Sequence, residues 1–383
     1  MYLSEVIIQR IKNEGPISFH DFMEMALYYP GTGYYTSDKN KIGVNGDYFT
    51  SCNLTPLFGA MIGRQIEEMW RLLKEQPFTI VEFGAGTGLL CRDILDYLKN
   101  NDELYADLNY YIIEKSPVMR EKEMLLLHEK VTWINSINEI HGINGCILSN
   151  ELLDNFAVHQ VVMEDELMEV FVDYKDEFTE VLLPARLALK NYFRELDVCL
   201  PRDFRTEVNL EATEWIREIA GALNKGFVMT IDYGYPSFEL YKKYRCHGTI
   251  VCYNKHKIND DPYKNIGMQD ITTHVNFSAL YYWGLRSGLD CTGYTNQAHF
   301  LLSLGLKEQL IKVLNEDAKD TYMNYKKNAF IVQRLLVDMG NKLKVLIQQK
   351  GLPNYQLSGL KLSAPNETAT LTKEYRDTPV VVW

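Results

Sequence analysis

The chain has 383 residues, with 40 Lys+Arg against 51 Asp+Glu for a net charge of −11, and 46% of its residues are hydrophobic. That apolar fraction excludes a disordered or fibrous chain, and the length allows two domains or one domain with large insertions. The acidic balance, with no Lys/Arg-rich block, argues against general affinity for a nucleic-acid backbone and mildly favours a basic protein partner.

From the N-terminus, two short helices are expected, Tyr2 to Lys12 and Ser18 to Leu27. The first contains Glu5 and lacks both a signal-peptide core and an Arg-rich transit pattern, so the cytoplasm is the expected compartment. A Gly-punctuated, aromatic stretch follows, Tyr28 to Tyr35 and Gly43 to Ser51, and a helix from Pro56 to about Lys74. Residues 1–75 thus read as N-terminal helices with a lid-like loop. Next comes the strongest local signal, Phe78 to Leu95, in which a β-branched apolar run stops at Gly84-Ala85-Gly86-Thr87-Gly88 and helical periodicity begins: strand, tight turn, helix.

Further short apolar runs end in polar residues: Tyr110 to Ile113 before Glu114, Val131 to Ile134, Cys146 to Ser149 before Asn150-Glu151, and Phe227 to Ile231 before Asp232. Repeated with helices between, this pattern predicts an α/β fold with a parallel, doubly wound sheet covered on both faces. The core is assigned to residues 76–155 and 226–350, with an irregular insertion at 233–277. Residues 156–225 read as an accessory insertion, an antiparallel meander and two helices, serving as a substrate entrance or an oligomer interface such as that of a homodimer. Helices from Ala298 to Asn315 and Asp317 to Val337, a last strand Leu343 to Gln348, and a tail over 351–383 complete the chain. No apolar run approaches the roughly 20 residues of a membrane span. The seven cysteines are scattered without a C-x-x-C, so neither a disulfide framework nor a metal site is expected.

The glycine loop has Leu89 where a dinucleotide fingerprint needs its third glycine, and no Lys follows as a phosphate loop requires. The remaining pattern, Glu82 followed by Gly84, Gly86 and Gly88, suits S-adenosylmethionine: the glycines admit the methionyl part and a carboxylate helps hold its ammonium. Glu114, closing the next strand, is placed to accept both ribose hydroxyls, and Asn150-Glu151 lies at the crevice edge where ligands of such sheets sit.

These motifs together resemble the MidA-type (mitochondrial dysfunction protein A) methyltransferases. The matching pieces include Gly15-Pro16-Ile17-Ser18, Tyr28-Tyr29-Pro30, Gly46-Asp47-Tyr48-Phe49-Thr50-Ser51, the Glu82 to Gly88 loop, Glu114-Lys115-Ser116, Asn150 to Asp154, Ile231-Asp232-Tyr233-Gly234 and Asp270 to Val275. Departures are Asn276 where an Asp is expected, Asn155-Phe156, and Asn341-Lys342-Leu343. The resemblance implies a Rossmann-like class I methyltransferase core with a smaller accessory domain and S-adenosylmethionine as donor. By analogy with eukaryotic members it also implies arginine methylation of a respiratory complex I subunit.

An arginine nucleophile must be gripped by carboxylates that aim one nitrogen at the methyl group. Glu151, then Asp154 and Asp232, are the strand-end candidates, with a turn role as the alternative for Asp154. His274 is a candidate general base, though a lone His is more often structural. Thr50 is a candidate cofactor contact, and Asp47 and Tyr233 are candidate substrate contacts, with turns and ordinary packing as their alternatives. Two other functional classes stay open: transfer to a small molecule or RNA, and a non-catalytic assembly protein that keeps the cofactor pocket.

Overall fold

The computed structural model describes residues 2–38, 41, 43, 46–47, 49–74, 77–316, 321–363 and 367–371. Its centre is an eight-stranded sheet. Five strands run parallel in the order Val131–Ile134, Leu108–Ile113, Phe78–Phe83, Ile143–Asn150 and Leu223–Tyr235. Alternate side chains of the central strands serve opposite layers: Ile80 joins one apolar cluster with the helices Pro56–Leu73 and Leu89–Leu98, and Val81 joins the other with the helices Leu210–Ala222 and Phe277–Arg286. Burial on both faces is why these strands read as continuous apolar runs.

The expected all-parallel order needs one correction. Leu343–Lys350 runs antiparallel beside Leu223–Tyr235, and beyond it lies an edge strand, Asp290–Asn296, that the sequence reading did not contain. That strand, Asp-Cys-Thr-Gly-Tyr-Thr-Asn, is polar and bulged between Cys291 and Gly293. An edge strand with one pairing partner needs no apolar run, so its composition hides it. The helix expected over Ala298 to Asn315 is two helices, Gln297–Ser303 and Leu306–Glu316, broken at Gly305 with φ +90°.

The accessory elements come from separate stretches of sequence. The meander His159–Met163, Leu167–Tyr174 and Phe178–Pro184 forms as expected, and Arg205–Val208 and the N-terminal pair Ile17–Ser18 join its sheet. Phe19, Phe22 and Met23 of the helix Phe19–Tyr28 pack on Val158, Val170 and Val172, together with Cys252 and Ile271 from a small sheet in the 233–277 region. Thus residues 3–35, the meander and the irregular insertion share one apolar cluster over the C-terminal ends of the core strands. Among the described residues, no helix is long and apolar enough to cross a membrane.

Asn276, the departure from the family's Asp, is explained here. Its Oδ1 accepts from Ala279 N–H at 3.2 Å and Ser237 Oγ at 3.0 Å, capping the helix Phe277–Arg286, while its Nδ2 donates to the hydroxyls of Tyr192 and Tyr241 at 3.1 Å. Asn276→Ala should therefore cost about 2–3 kcal/mol of stability in urea denaturation, the cap plus stranded buried groups. Asn276→Asp should cost less, since the two tyrosine hydroxyls can turn to donate.

Candidate active site

The loop from Gly84 to Gly88 turns the strand Phe78–Phe83 into the helix Leu89–Leu98 with its three glycines at φ +65°, +59° and +76°. At Gly84 a Cβ would come within 2.6 Å of Leu152 Cδ1, so the end of that side chain would have to turn aside. Gly84 and Gly86 line a cavity of about 350 Å³, within the range of roughly 300–1,000 Å³ typical of small-molecule sites. Gly88 sits behind the loop as the N-cap of its helix.

Several expected residues converge on this cavity. Glu114, Asn150, Glu151 and Thr50 all line it. Glu114 is held by the Ser116 N–H at 2.7 Å. Glu151 sits at φ +50°, a left-handed conformation uncommon for a residue with a side chain. Its Oε1 accepts the Ser51 N–H at 3.0 Å, and its Oε2 makes no hydrogen bond among the described residues. Thr50 caps the short helix Ser51–Leu54, its hydroxyl 2.6 Å from Asn53 Oδ1. This joins the 46–51 loop to the end of strand Ile143–Asn150, because the helix that Thr50 starts presents its first N–H to Glu151.

The other candidates lie outside the lining. Glu82 is buried beneath the loop and accepts the Tyr110 hydroxyl at 2.6 Å. Asp232 braces the turn after Glu151: its Oδ2 accepts the N–H groups of Leu152 and Leu153 at 3.1 and 2.8 Å, and its Oδ1 that of Tyr233 at 2.8 Å. Asp154 is buried in that same turn, with Asn155 Nδ2 at 2.9 Å. Asp47 accepts the Tyr34 hydroxyl at 2.9 Å and the Lys255 N–H, pinning its loop to the hairpin Val251–Asn259. Tyr233 is packed near Glu151 and Asp154, and burial together with those carboxyls pushes its phenol upward. His274 stacks edge-on against Tyr235 at 5.2 Å with Nδ1 buried and unpartnered. Burial, then the charges of Arg245 and Lys342, push it down to about 4, so it is neutral at physiological pH.

Further residues complete the wall. Tyr28 and Tyr35 stack at 5.4 Å, and the Tyr35 hydroxyl donates to Asp270 and Asn155. Asn135 follows the strand Val131–Ile134. Glu211 and Trp215, one turn apart on the helix Leu210–Ala222, reach the cavity from the accessory insertion. Their i, i+4 spacing was visible, but nothing local tells which surface that helix faces.

Burial sets the electrostatics. Glu151 is pushed up to about 8 by burial and then by Asp232, and Asp270 up to about 7 by burial. Asp154 and Asp232, in mutual contact, are both raised by burial. None of these four forms an ion pair among the described residues. An acid with a raised pKa keeps its proton longer folded than unfolded, so its contribution to stability falls as pH rises through the folded value. The depressed histidines, His274 and His159, act oppositely, but only up to their ordinary value of 6.5. Stability of the ligand-free protein should therefore decline from the ordinary carboxylate range up to about pH 8, offset in part by the histidines below 6.5, by up to about 1.4 kcal/mol per pH unit for each titrating group. Glu151→Gln should flatten that slope in urea titrations; an unchanged slope would show that Glu151 is ionised throughout.

The wall suits an adenosyl ligand. It offers Glu114 as a diol acceptor and two buried polar atoms without a protein partner, Asn150 Oδ1 and Trp215 Nε1. Comparison with known proteins agrees. The family model described as "Putative S-adenosyl-L-methionine-dependent methyltransferase" matches residues 61–295. A crystal structure from Burkholderia thailandensis with S-adenosyl-homocysteine bound superposes with a TM-score of 0.83 at 30% identity, covering 94% of each chain. Curated relatives include "Protein arginine methyltransferase NDUFAF7 homolog, mitochondrial" of Caenorhabditis elegans, 25% identical over 92% of this chain and 89% of its own. The Homo sapiens protein arginine methyltransferase NDUFAF7, mitochondrial, is 25% identical over 81% of this chain and 75% of its own.

The expectation of a cytoplasmic protein is corrected by these relatives, which are mitochondrial. Compartment is set by a targeting segment, not by the composition of the folded chain, so the default carried no information. The glycine loop, the strand-end acids and a match over more than half the chain lead to one conclusion: this chain belongs to the MidA-type family of S-adenosyl-L-methionine-dependent methyltransferases.

Proposed function

We propose that the chain methylates an arginine side chain of a protein substrate. The observation that carries this reading is Glu151, a half-buried carboxyl at the cavity wall with one oxygen tied to Ser51 N–H and the other unengaged. The names of the curated relatives support the same acceptor.

When bound, S-adenosylmethionine supplies an electrophilic sulfonium methyl that passes to the nucleophile while the C–S electron pair stays on sulfur. Glu151 accepts from the guanidinium, drawing its positive charge toward one nitrogen and leaving another free to attack. A guanidinium beside it favours the anionic form and draws the raised pKa back down. Ser51 N–H and the braced turn from Leu152 to Asn155 hold the carboxyl in place, so Asp232 and Asp154 serve as supports of that turn. Tyr28, Tyr35 and Trp215 wall the cavity from the accessory side and exclude water from the transfer. The proton that leaves the methylated nitrogen passes to Glu151 or to solvent. His274 lies outside the lining and takes no part in this scheme.

By analogy with the eukaryotic members of the family, a subunit of respiratory complex I is the first acceptor to examine. Mass spectrometry of tryptic peptides from cells lacking the chain and from their parent tests the reading. At least one arginine peptide is expected to lose its methyl mass increments in the deletion and regain them with the wild-type chain. Increments that vanish from lysine in place of arginine, or no arginine peptide that changes between the strains, would overturn it.

A further inference from the structure

One buried acid beside the cofactor cavity has no role in the scheme above. Glu123, on the helix Pro117–Leu126, is fully buried. Its Oε2 accepts the indole N–H of Trp133 at 2.8 Å, while its Oε1 is buried and meets no protein donor. What it meets is another carboxyl: Glu123 and Glu114 are in hydrogen-bonding contact. Glu114 lines the cavity, with Oε1 already taking the Ser116 N–H. Two carboxyl oxygens hydrogen-bond only when a proton lies between them.

The groups facing Glu123 decide which acid carries that proton. Glu114 approaches from the end of strand Leu108–Ile113, Glu82 from strand Phe78–Phe83, the Cys91 thiol from helix Leu89–Leu98 and the Trp133 indole from strand Val131–Ile134. On its own helix Arg120 turns away to Asn135 Oδ1 and the Trp133 carbonyl. Among the described residues no ion pair reaches Glu123, so its surroundings are acidic or neutral throughout. Glu114 has backbone N–H groups of Ser116 and Gly86 to support a negative charge, whereas Glu123 has a single indole N–H. Burial raises both acids, and the donors around Glu114 tip the pair so that Glu114 carries the charge and Glu123 the proton.

We propose that Glu123 is a positioning residue of the cofactor pocket: as the neutral acid it accepts from Trp133 through one oxygen and donates its proton to Glu114 through the other, holding that carboxylate aimed at the ribose hydroxyls. This rests on the reading of Glu114 as the ribose-holding acid. Burial and the charge of Glu114 both push Glu123 upward, which keeps it protonated at neutral pH. Once it ionises, two negative charges face each other under the glycine loop, and the pocket must loosen or take up a proton on binding. The position thus demands one acceptor and one donor, a demand that glutamine also meets and leucine does not.

The test is calorimetric titration with S-adenosylhomocysteine from about pH 6.5 to 9.5, on wild type, Glu123→Gln, Glu123→Leu and Glu114→Gln. Wild type is expected to lose about tenfold more affinity than Glu123→Gln between the ends of that range. At pH 7 Glu123→Gln should bind within about twofold of wild type, and Glu123→Leu about tenfold more weakly. Without ligand, infrared spectra at pH 7 should show protonated carboxyl absorption, shared with the other raised acids, that Glu123→Gln diminishes by one group. Identical pH profiles for wild type and Glu123→Gln, or an unchanged infrared spectrum, would overturn the proposal even where Glu114→Gln weakens binding. Undiminished affinity in Glu114→Gln would instead remove the ribose reading on which it rests.

Discussion

Replacing Glu151 with glutamine is expected to slow methyl transfer to arginine by about 10²- to 10³-fold while leaving S-adenosylhomocysteine affinity within about threefold. Glutamine has the same shape, its carbonyl can still accept the Ser51 N–H, and the left-handed backbone at φ +50° is not asked to change. What disappears is the charge that grips a guanidinium. Leaving one partner of a desolvated ion pair without the other costs about 3–5 kcal/mol, which sets the size of the effect. Single-turnover kinetics on a methyl-accepting peptide, alongside calorimetry, separates the two quantities. Turnover equal to wild type would move the chemistry away from Glu151, whereas no transfer by either protein would favour the non-catalytic assembly reading.

Gly84→Val is expected to weaken S-adenosylhomocysteine binding more than about 100-fold. The backbone at φ +65° disfavours any Cβ by about 1–2 kcal/mol, and the new side chain would meet Leu152 Cδ1 at 2.6 Å. Leu152 also lines the cavity, so its displaced side chain and the added valine methyls crowd the space open to a ligand. Gly31→Ala is the control. It too has positive φ, +74°, yet nothing lies within 4 Å of the added Cβ. It should cost about 1–2 kcal/mol of stability and leave cofactor affinity unchanged. Equal loss of affinity in both variants would mean that Gly84 acts through general destabilisation and not through the cavity.

Both predictions concern residues whose place was readable before the fold was known. Gly84, Gly86, Glu114, Asn150 and Glu151 all stand at the C-terminal ends of parallel strands. A doubly wound sheet gathers those ends into one crevice, so reading the strands already located the cavity. Direction was less legible than position. Glu82 and Glu114 both look like strand-end acids, but Glu82 lies within its strand and its side chain goes beneath the loop to Tyr110. Asp232 stands where a ligand-holding acid would, with both oxygens occupied by backbone N–H groups that only the three-dimensional turn supplies. Tyr28, Glu211 and Trp215 were hidden for a different reason. They arrive on helices of the N-terminal and accessory segments, and helical periodicity gives a face without saying what that face meets. The polar edge strand Asp290–Asn296 was missed because pairing, not apolar burial, defines it.

The account stands or falls on where the methyl group goes. Purified wild-type chain, incubated with tritiated S-adenosylmethionine and a mitochondrial protein extract, followed by acid hydrolysis and amino-acid chromatography, tests it most directly. The prediction is label eluting with methylated arginine from wild type, reduced at least about 100-fold with Glu151→Gln. Label in methyllysine, in nucleic acid or in small molecules, or an equal yield of methylarginine from the Glu151→Gln variant, would contradict it.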